Sequence, residues 1–512
     1  MSIVLTGNDL TFSQLYAVAL HHESVSLASE AIARMKTSRA VVDRLVASGE
    51  TAYGINTGFG KLASVRISPE QVRQLQVNLV RSHACGVGTP LSEAETRAMI
   101  LLRANALAKG LSGVRPVVVE TLCAMANAGV HPVIPSQGSV GASGDLAPLA
   151  HLAQVVIGEG EACYKREKLP GAEALKRAGI TAVALEAKEG LSLLNGTQGM
   201  LALLSLALRE ADALVDTADI AAALSLDALR GSPGAFDARI MHARAYPGAA
   251  TTARNLAHLN EGSQIRESHR PADKDSRVQD AYSLRCTPQV HGAVRDSLTQ
   301  ANEMALVELN SATDNPLVFV KENGTGDIVS GGNFHGQPLA MAADQAAVAI
   351  ATLSGISERR IEQMTNPLTS MLPAFLTPDP GLNSGFMIAQ VTAAALTSEN
   401  RALATPHSVD SISTSGNQED YVSMGMSGAR RLERMLDNLR YILAIELLCA
   451  CQGIDLLAPL QTGALAKKAY EAVRAASAKL TTDRPLAPDI NAVAHLVATG
   501  AFAKILHEPT PP

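Results

Sequence analysis

Residues 420–455 read DYVSMGMSGARRLERMLDNLRYILAIELLCACQGID, a stretch without proline. Leu432, Met435, Leu436, Leu439, Leu443 and Leu447 recur at steps of three and four, which puts them on one stripe of a helix. At 1.5 Å per residue the stretch predicts a rod on the order of 50 Å long. Such a rod must bury its stripe against other helices, so this one segment predicts a long-helix bundle.

The segments around it agree. Helical spacing predicts further helices over about 198–230, 289–310, 337–365, 383–404, 461–479 and 488–505. Apolar residues make up 47% of the 512 positions, aromatics only 3%, and tryptophan is absent. A core must then be filled by Leu, Val, Ile, Met and Ala, of which Leu and Ala favour helix. The expected fold is mainly α, with a few short strands at 2–5, 317–320 and 327–330, the last two joined at Asn323-Gly324. One unit is expected in two parts: 1–200, a mixed helical and loop part, and 201–512, the long-helix bundle. Residues 158–190, rich in glycine and charge, read as a surface excursion, and the polar stretch 231–275 as irregular.

Net charge is −6 with no run of like charges, which excludes the clustered basic face of a nucleic-acid binder. The first twenty residues hold Asp9 and no Lys or Arg, unlike a signal peptide. No window reaches the roughly 18–20 apolar residues of a membrane span, so a cytoplasmic protein is expected. Cysteines 85, 123, 163, 286, 449 and 451 are scattered and read as reduced thiols. Cys449 and Cys451 lack a second pair at zinc spacing, and no metal site is expected.

Chemistry concentrates at residues 138–151, GSVGASGDLAPLAH. Glycines 138, 141 and 144 permit sharp turns. If the amide nitrogen of Gly144 attacks the carbonyl carbon of Ala142, a five-membered ring closes. Loss of that oxygen as water, and of the Ser143 hydroxyl as a second water, leaves an electrophilic methylidene carbon. Read alone, the tripeptide is also an ordinary glycine loop. Asp145 reads as the cap of a helix starting near Leu146.

Other stretches carry candidate groups. In 51–64, TAYGINTGFGKLAS, the string from Gly58 to Ala63 imitates a dinucleotide fingerprint, but no apolar strand precedes it, so it reads as a mobile loop bearing Tyr53. His83 ends a helix running from about Pro69 to Arg81. Asn195 stands in LSLLNGTQG, Phe334 in GGNFHGQP, and Glu419 at the start of the 420–455 helix. In VQDAYSLRCTPQVHG, Gln279, Tyr282 and Arg285 are spaced by three and share a helix face, which reads as a polar surface or as a carboxylate clamp beside a phenol.

Together these blocks resemble, in order and over essentially the whole chain, the aromatic amino acid ammonia-lyases. The resemblance implies the long-helix bundle of the ammonia-lyase/fumarase-aspartase type, with an N-terminal globular part carrying the prosthetic-group loop. It implies that Ala142, Ser143 and Gly144 form a 4-methylidene-imidazol-5-one autocatalytically, with no dissociable cofactor. It makes Tyr53 and Tyr282 acid/base candidates, Arg285 and Asn195 the carboxylate site, and Gln279 and Phe334 walls. Ser82-His83 and the NQED acid Glu419 are similar to the histidine-specific branch, where such groups orient the substrate imidazole. The expected reaction is then L-histidine to trans-urocanate and ammonia, the first step of histidine degradation, by a homotetramer whose sites draw on more than one chain. The alternative is a tyrosine or phenylalanine lyase or an aminomutase of the same family. A helical protein without chemistry would be expected to lose members of the set Tyr53, Ser143, Asn195, Tyr282 and Arg285, and all are present. The serine-bearing loop of the fumarase/aspartase type is not seen.

Overall fold

A computed structural model describes residues 2–49, 54–55, 57, 67–68, 71–270 and 277–507. The chain forms two compact units, each discontinuous in sequence: 1–206 with 302–344 and 406–430, and 207–301 with 345–405 and 431–512.

The first unit is helical with short strands at its margins. Its helices start where the sequence offers caps: Thr11 and Gln14 form a capping box for Phe12–His21, and Ser92 and Glu95 form one for Glu93–Ala108. Glu93–Ala108 is the central helix of this unit, buried on most of its faces, including Arg97 and Arg103. Arg97 satisfies its guanidinium on the carbonyls of Val18 (2.8 Å) and Ala126 (2.9 Å). Among the described residues all named strands lie in this unit: Ile3–Leu5 parallel to Val25–Leu27, Val87–Pro90 with Pro135–Gln137, Val130–Pro132 with the hairpin Glu161–Tyr164 and Glu167–Pro170, and the hairpin Leu317–Val320 with Gly326–Val329.

Residues 158–190 depart from expectation. The 161–170 hairpin is largely exposed, but Lys188, Glu189 and Gly190 are buried. Their charges are matched inside: Arg115 grips Glu189 at 2.7 Å and Lys188 meets Asp314 at 2.8 Å. Charge suggested solvent where the fold supplies counter-charge instead.

The second unit is built around Gly425–Leu456, whose Gly425 to Arg430 belong to the first. The six stripe residues named above are buried, and from 442 to 454 every face is covered. A helix apolar on one stripe needs one partner layer; one covered all round is a core rod. Its buried Glu446 is held by Arg360, with Ser225 and Ser357 on the same carboxylate. The rod starts at Gly425 rather than 420, because Met424 is left-handed (φ 56°) and breaks the run. Gly500 (φ 69°) likewise splits the expected 488–505 helix into Ala487–Ala498 and Ala501–Leu506. The described part of the stretch, 231–270, is not irregular: it holds Ala238–Ala243, Pro247–Leu259 and Gln264–Ser268. Proline at the first helical position and the Ser263 cap start two of these, signals masked by polar composition.

The helix Gln337–Thr365 is long and apolar enough to cross a membrane by composition, yet 67% of its most apolar window is buried within the protein, as in a core helix. Cys449 and Cys451 are buried in the rod, where burial pushes both thiols up, Cys451 to about 12.

Candidate active site

The loop at 138–151 lies in the first unit and is fixed from several sides. Gly144 has φ 73° and pairs with Gly196 in an isolated parallel bridge, and a Cβ there would stand 2.1 Å from the Gly196 carbonyl oxygen. No other residue fits. The Asp145 amide donates to that same oxygen at 2.7 Å. Upstream, Ser423 Oγ (3.0 Å) and the Gly336 amide (3.3 Å) both donate to the Gly141 carbonyl, and the Met424 amide donates to Val140 at 2.8 Å.

Asp145 does not cap its own helix. Its side chain makes no bond to the amides of Leu146–Val156; it accepts instead from the Met200 amide at 2.7 Å and from Ser139 Oγ at 2.8 Å. It therefore serves the N-terminus of the 31-residue helix Gln198–Ala228, whose dipole favours a carboxylate. Burial nonetheless pushes this acid up to about 6, against those hydrogen bonds.

Asn195 closes the short helix Glu189–Leu194. Its Nδ2 donates to the Ser143 carbonyl at 2.8 Å. Its own carbonyl accepts from Arg103 Nη1 at 2.9 Å, and Arg103 also holds Gln198 Oε1 at 2.8 Å and the Ser192 carbonyl. Burial brings the Arg103 guanidinium down to about 10. Sequence reading missed Arg103; its signal was an arginine inside the apolar run MILLRANAL, where a charge needs an internal partner.

Glu419 also approaches Ser143. Ser143 Oγ donates to Glu419 Oε1 at 2.6 Å, while Oε2 accepts from Thr414 Oγ1 at 2.8 Å. Glu419 sits in a loop paired with Thr414, not at the start of the rod as expected. His83 is the last residue of Val72–His83. Its Nδ1 lies 2.9 Å from the Leu79 carbonyl, an acceptor only, so Nδ1 carries the proton and Nε2 is left as an acceptor. Burial lowers the His83 pKa, with Glu419 close enough to oppose the shift. Phe334 is half-buried in the turn before Gln337–Thr365, two residues from the Gly336 amide that ties this turn to the loop. The first unit thus brings Ser143, Asn195, Glu419 and His83 together.

Gln279, Tyr282 and Arg285 belong to the second unit. Gln279 is exposed, and Tyr282 is 70% exposed on the one-turn helix Tyr282–Arg285. The Arg285 guanidinium lies 4.6 Å from the centre of the Tyr282 ring, and its Nε is buried with no hydrogen-bond partner. Tyr53 lies outside the described residues.

The aromatic amino acid lyase family model matches residues 10–475. A protein of Koribacter versatilis named histidine ammonia-lyase is 55% identical over 509 residues, covering 98% of each chain. The crystal structure of histidine ammonia-lyase from Trypanosoma cruzi superposes with a TM-score of 0.90 at 43% identity, covering 99% of this chain and 95% of that one. A tyrosine aminomutase from Streptomyces globisporus gives 0.93 at 38% identity, covering 99% and 98%.

Proposed function

The chain belongs to the aromatic amino acid lyase family, and we propose that it eliminates ammonia from L-histidine to give trans-urocanate, the first step of histidine degradation. The observation that carries this reading is that Glu419, which accepts from Ser143 Oγ, lies within electrostatic reach of His83. An imidazole ring carries an N–H that such acceptors bind, and the phenyl ring of phenylalanine offers no donor.

The 4-methylidene-imidazol-5-one is proposed to form from Ala142, Ser143 and Gly144. The residues fit it: Gly144 is free of any side chain, and Asn195 Nδ2 already sits on the Ser143 carbonyl, which the ring would keep as its own. That group would supply an electrophilic methylidene carbon toward the substrate.

The chain's own residues do the rest. Arg285 offers its planar fork to the substrate carboxylate. His83 Nε2 and Glu419 orient the imidazole. Gln279 and Phe334 line the pocket. Tyr53 or Tyr282 takes the β proton. The exposure of Gln279 and Tyr282, and of Val307, Met341, Val348 and Ile388 on long helices, supports a homotetramer with sites completed by more than one chain. We place this assembly in the cytoplasm.

The test is to mix the purified protein with L-histidine and follow absorbance in the urocanate band. Steady urocanate production supports the reading; no signal, with L-tyrosine or L-phenylalanine consumed instead, contradicts it. The likeness to an aminomutase favours one rival, in which the amine returns to the β carbon. Product NMR separates the two.

A further inference from the structure

Two side chains 276 positions apart in sequence meet at one hydroxyl. Ser143 Oγ lies 2.6 Å from Glu419 Oε1, the short contact of a carboxyl with a hydroxyl. Glu419 is fixed in that pose. Its other oxygen is held by Thr414 Oγ1 at 2.8 Å, and its backbone pairs with Thr414 on both sides of the bridge. The loop's other carboxyl, Asp145, is engaged by Ser139 and the Met200 amide. The hydroxyl that Glu419 holds is the one the loop must shed.

Resting on the reading that residues 142–144 cyclise, the geometry points to Glu419 as the general acid of the second dehydration, a maturation role that precedes its contact with substrate. In the first step Gly144 N bonds to the Ala142 carbonyl carbon. The former carbonyl oxygen leaves as water with the protons of Gly144 N and Ser143 N, and a C=N bond forms. In the second, Glu419 in its protonated form reverses the resting contact and donates to Oγ as the Ser143 Cβ–Oγ bond breaks with its electron pair on oxygen, completing that water. The Cα–H electron pair becomes the Cα=Cβ bond. Its proton passes to solvent, from which the Glu419 carboxylate is reprotonated. The net loss is one water, with Glu419 restored. Asn195 assists from the other side, since Nδ2 on the Ser143 carbonyl stabilises the charge left when the Cα proton departs.

The experiment follows the intact mass of the full chain with time after cell-free synthesis, for wild type, Glu419→Gln and Glu419→Asp, with circular dichroism to confirm folding. Wild type is expected to lose two waters. Glu419→Gln should lose the first normally and the second roughly 10²-fold more slowly, the scale of a lost general acid. Glu419→Asp, which keeps a carboxyl, should recover much of that rate. If Glu419→Gln instead loses both waters at the wild-type rate while failing on histidine, Glu419 serves the substrate alone and the proposal falls. A wild-type chain that loses no water overturns the ring itself, a different failure. Should Glu419→Gln not fold, Thr414→Val frees the carboxyl without removing it and is expected to slow the second loss; an unchanged rate contradicts the assignment.

Discussion

Lys188 Nζ lies 2.8 Å from Asp314 Oδ2, with side-chain exposures of 0% and 3%. Ser192 Oγ bridges them, at 2.9 Å from the lysine and 2.7 Å from the aspartate. Its backbone carbonyl holds Arg103, which in turn holds the Asn195 carbonyl. The pair is thus the footing on which Asn195 reaches Ser143. Removing one partner strands the other charge in the interior, so Lys188→Met should cost about 3–5 kcal/mol in urea unfolding. Replacing both with apolar residues of similar volume should recover much of that, and equal losses in the single and double variants would contradict the account.

Gly144→Ala should be far more damaging than its size suggests. The added carbon would stand 2.1 Å from the Gly196 oxygen and 2.4 Å from its carbon, on a backbone at φ 73°. The loop must shift, and turnover of histidine should vanish along with a clear drop in melting temperature. Gly179 is the control: its φ is 72° but nothing lies within 4 Å. Gly179→Ala should cost only about 1–2 kcal/mol and leave turnover unchanged.

Arg285→Lys tests the carboxylate clamp. A lysine keeps the charge but not the planar fork, and loses the stacked position over Tyr282. Steady-state kinetics should show KM for L-histidine raised at least about tenfold, equivalent to ~1.4 kcal/mol, with the fold intact. An unchanged KM would remove Arg285 from the substrate site.

Asp227 gives a pH signature in the second unit. It is buried, accepting from Ser263 Oγ at 2.8 Å and from Thr462 Oγ1 at 2.5 Å, and burial pushes it up to about 6 from an ordinary 3.8. A carboxyl with a raised folded pKa binds its proton more tightly when folded. Its stabilising contribution is whole below pH 3.8 and is lost as pH rises through about 6. Asp227→Asn should remove that decline, so the wild-type minus variant difference in urea midpoint should fall between pH 4 and 6. A flat difference would contradict the buried-acid assignment.

The fold was largely legible because its rods carry long apolar stripes. Leu432 to Leu447 announce one helix without help from tertiary context, and the 337–365 helix matches to the residue. What escaped depends on groups distant in sequence. Lys188 looked solvated because Asp314 stands 126 positions away. Asp145 looked like a local cap because nothing in the sequence says that the amide of Met200 comes to it. Helix starts and stops at Gly425 and Gly500 turned on single backbone angles. At the site, the motif blocks pointed to the 138–151 loop, His83, Asn195 and Glu419, which the first unit brings together. Arg103, the buried support behind Asn195, left only one arginine in an apolar run as its trace.

The central claim is that residues 142–144 convert themselves into the electrophile. Intact-mass measurement of the purified wild-type chain tests it most directly. The account predicts a mass lower than that of the translated sequence by two waters, the deficit localised to the peptide containing Ser143. Active protein whose mass equals the translated sequence would contradict it.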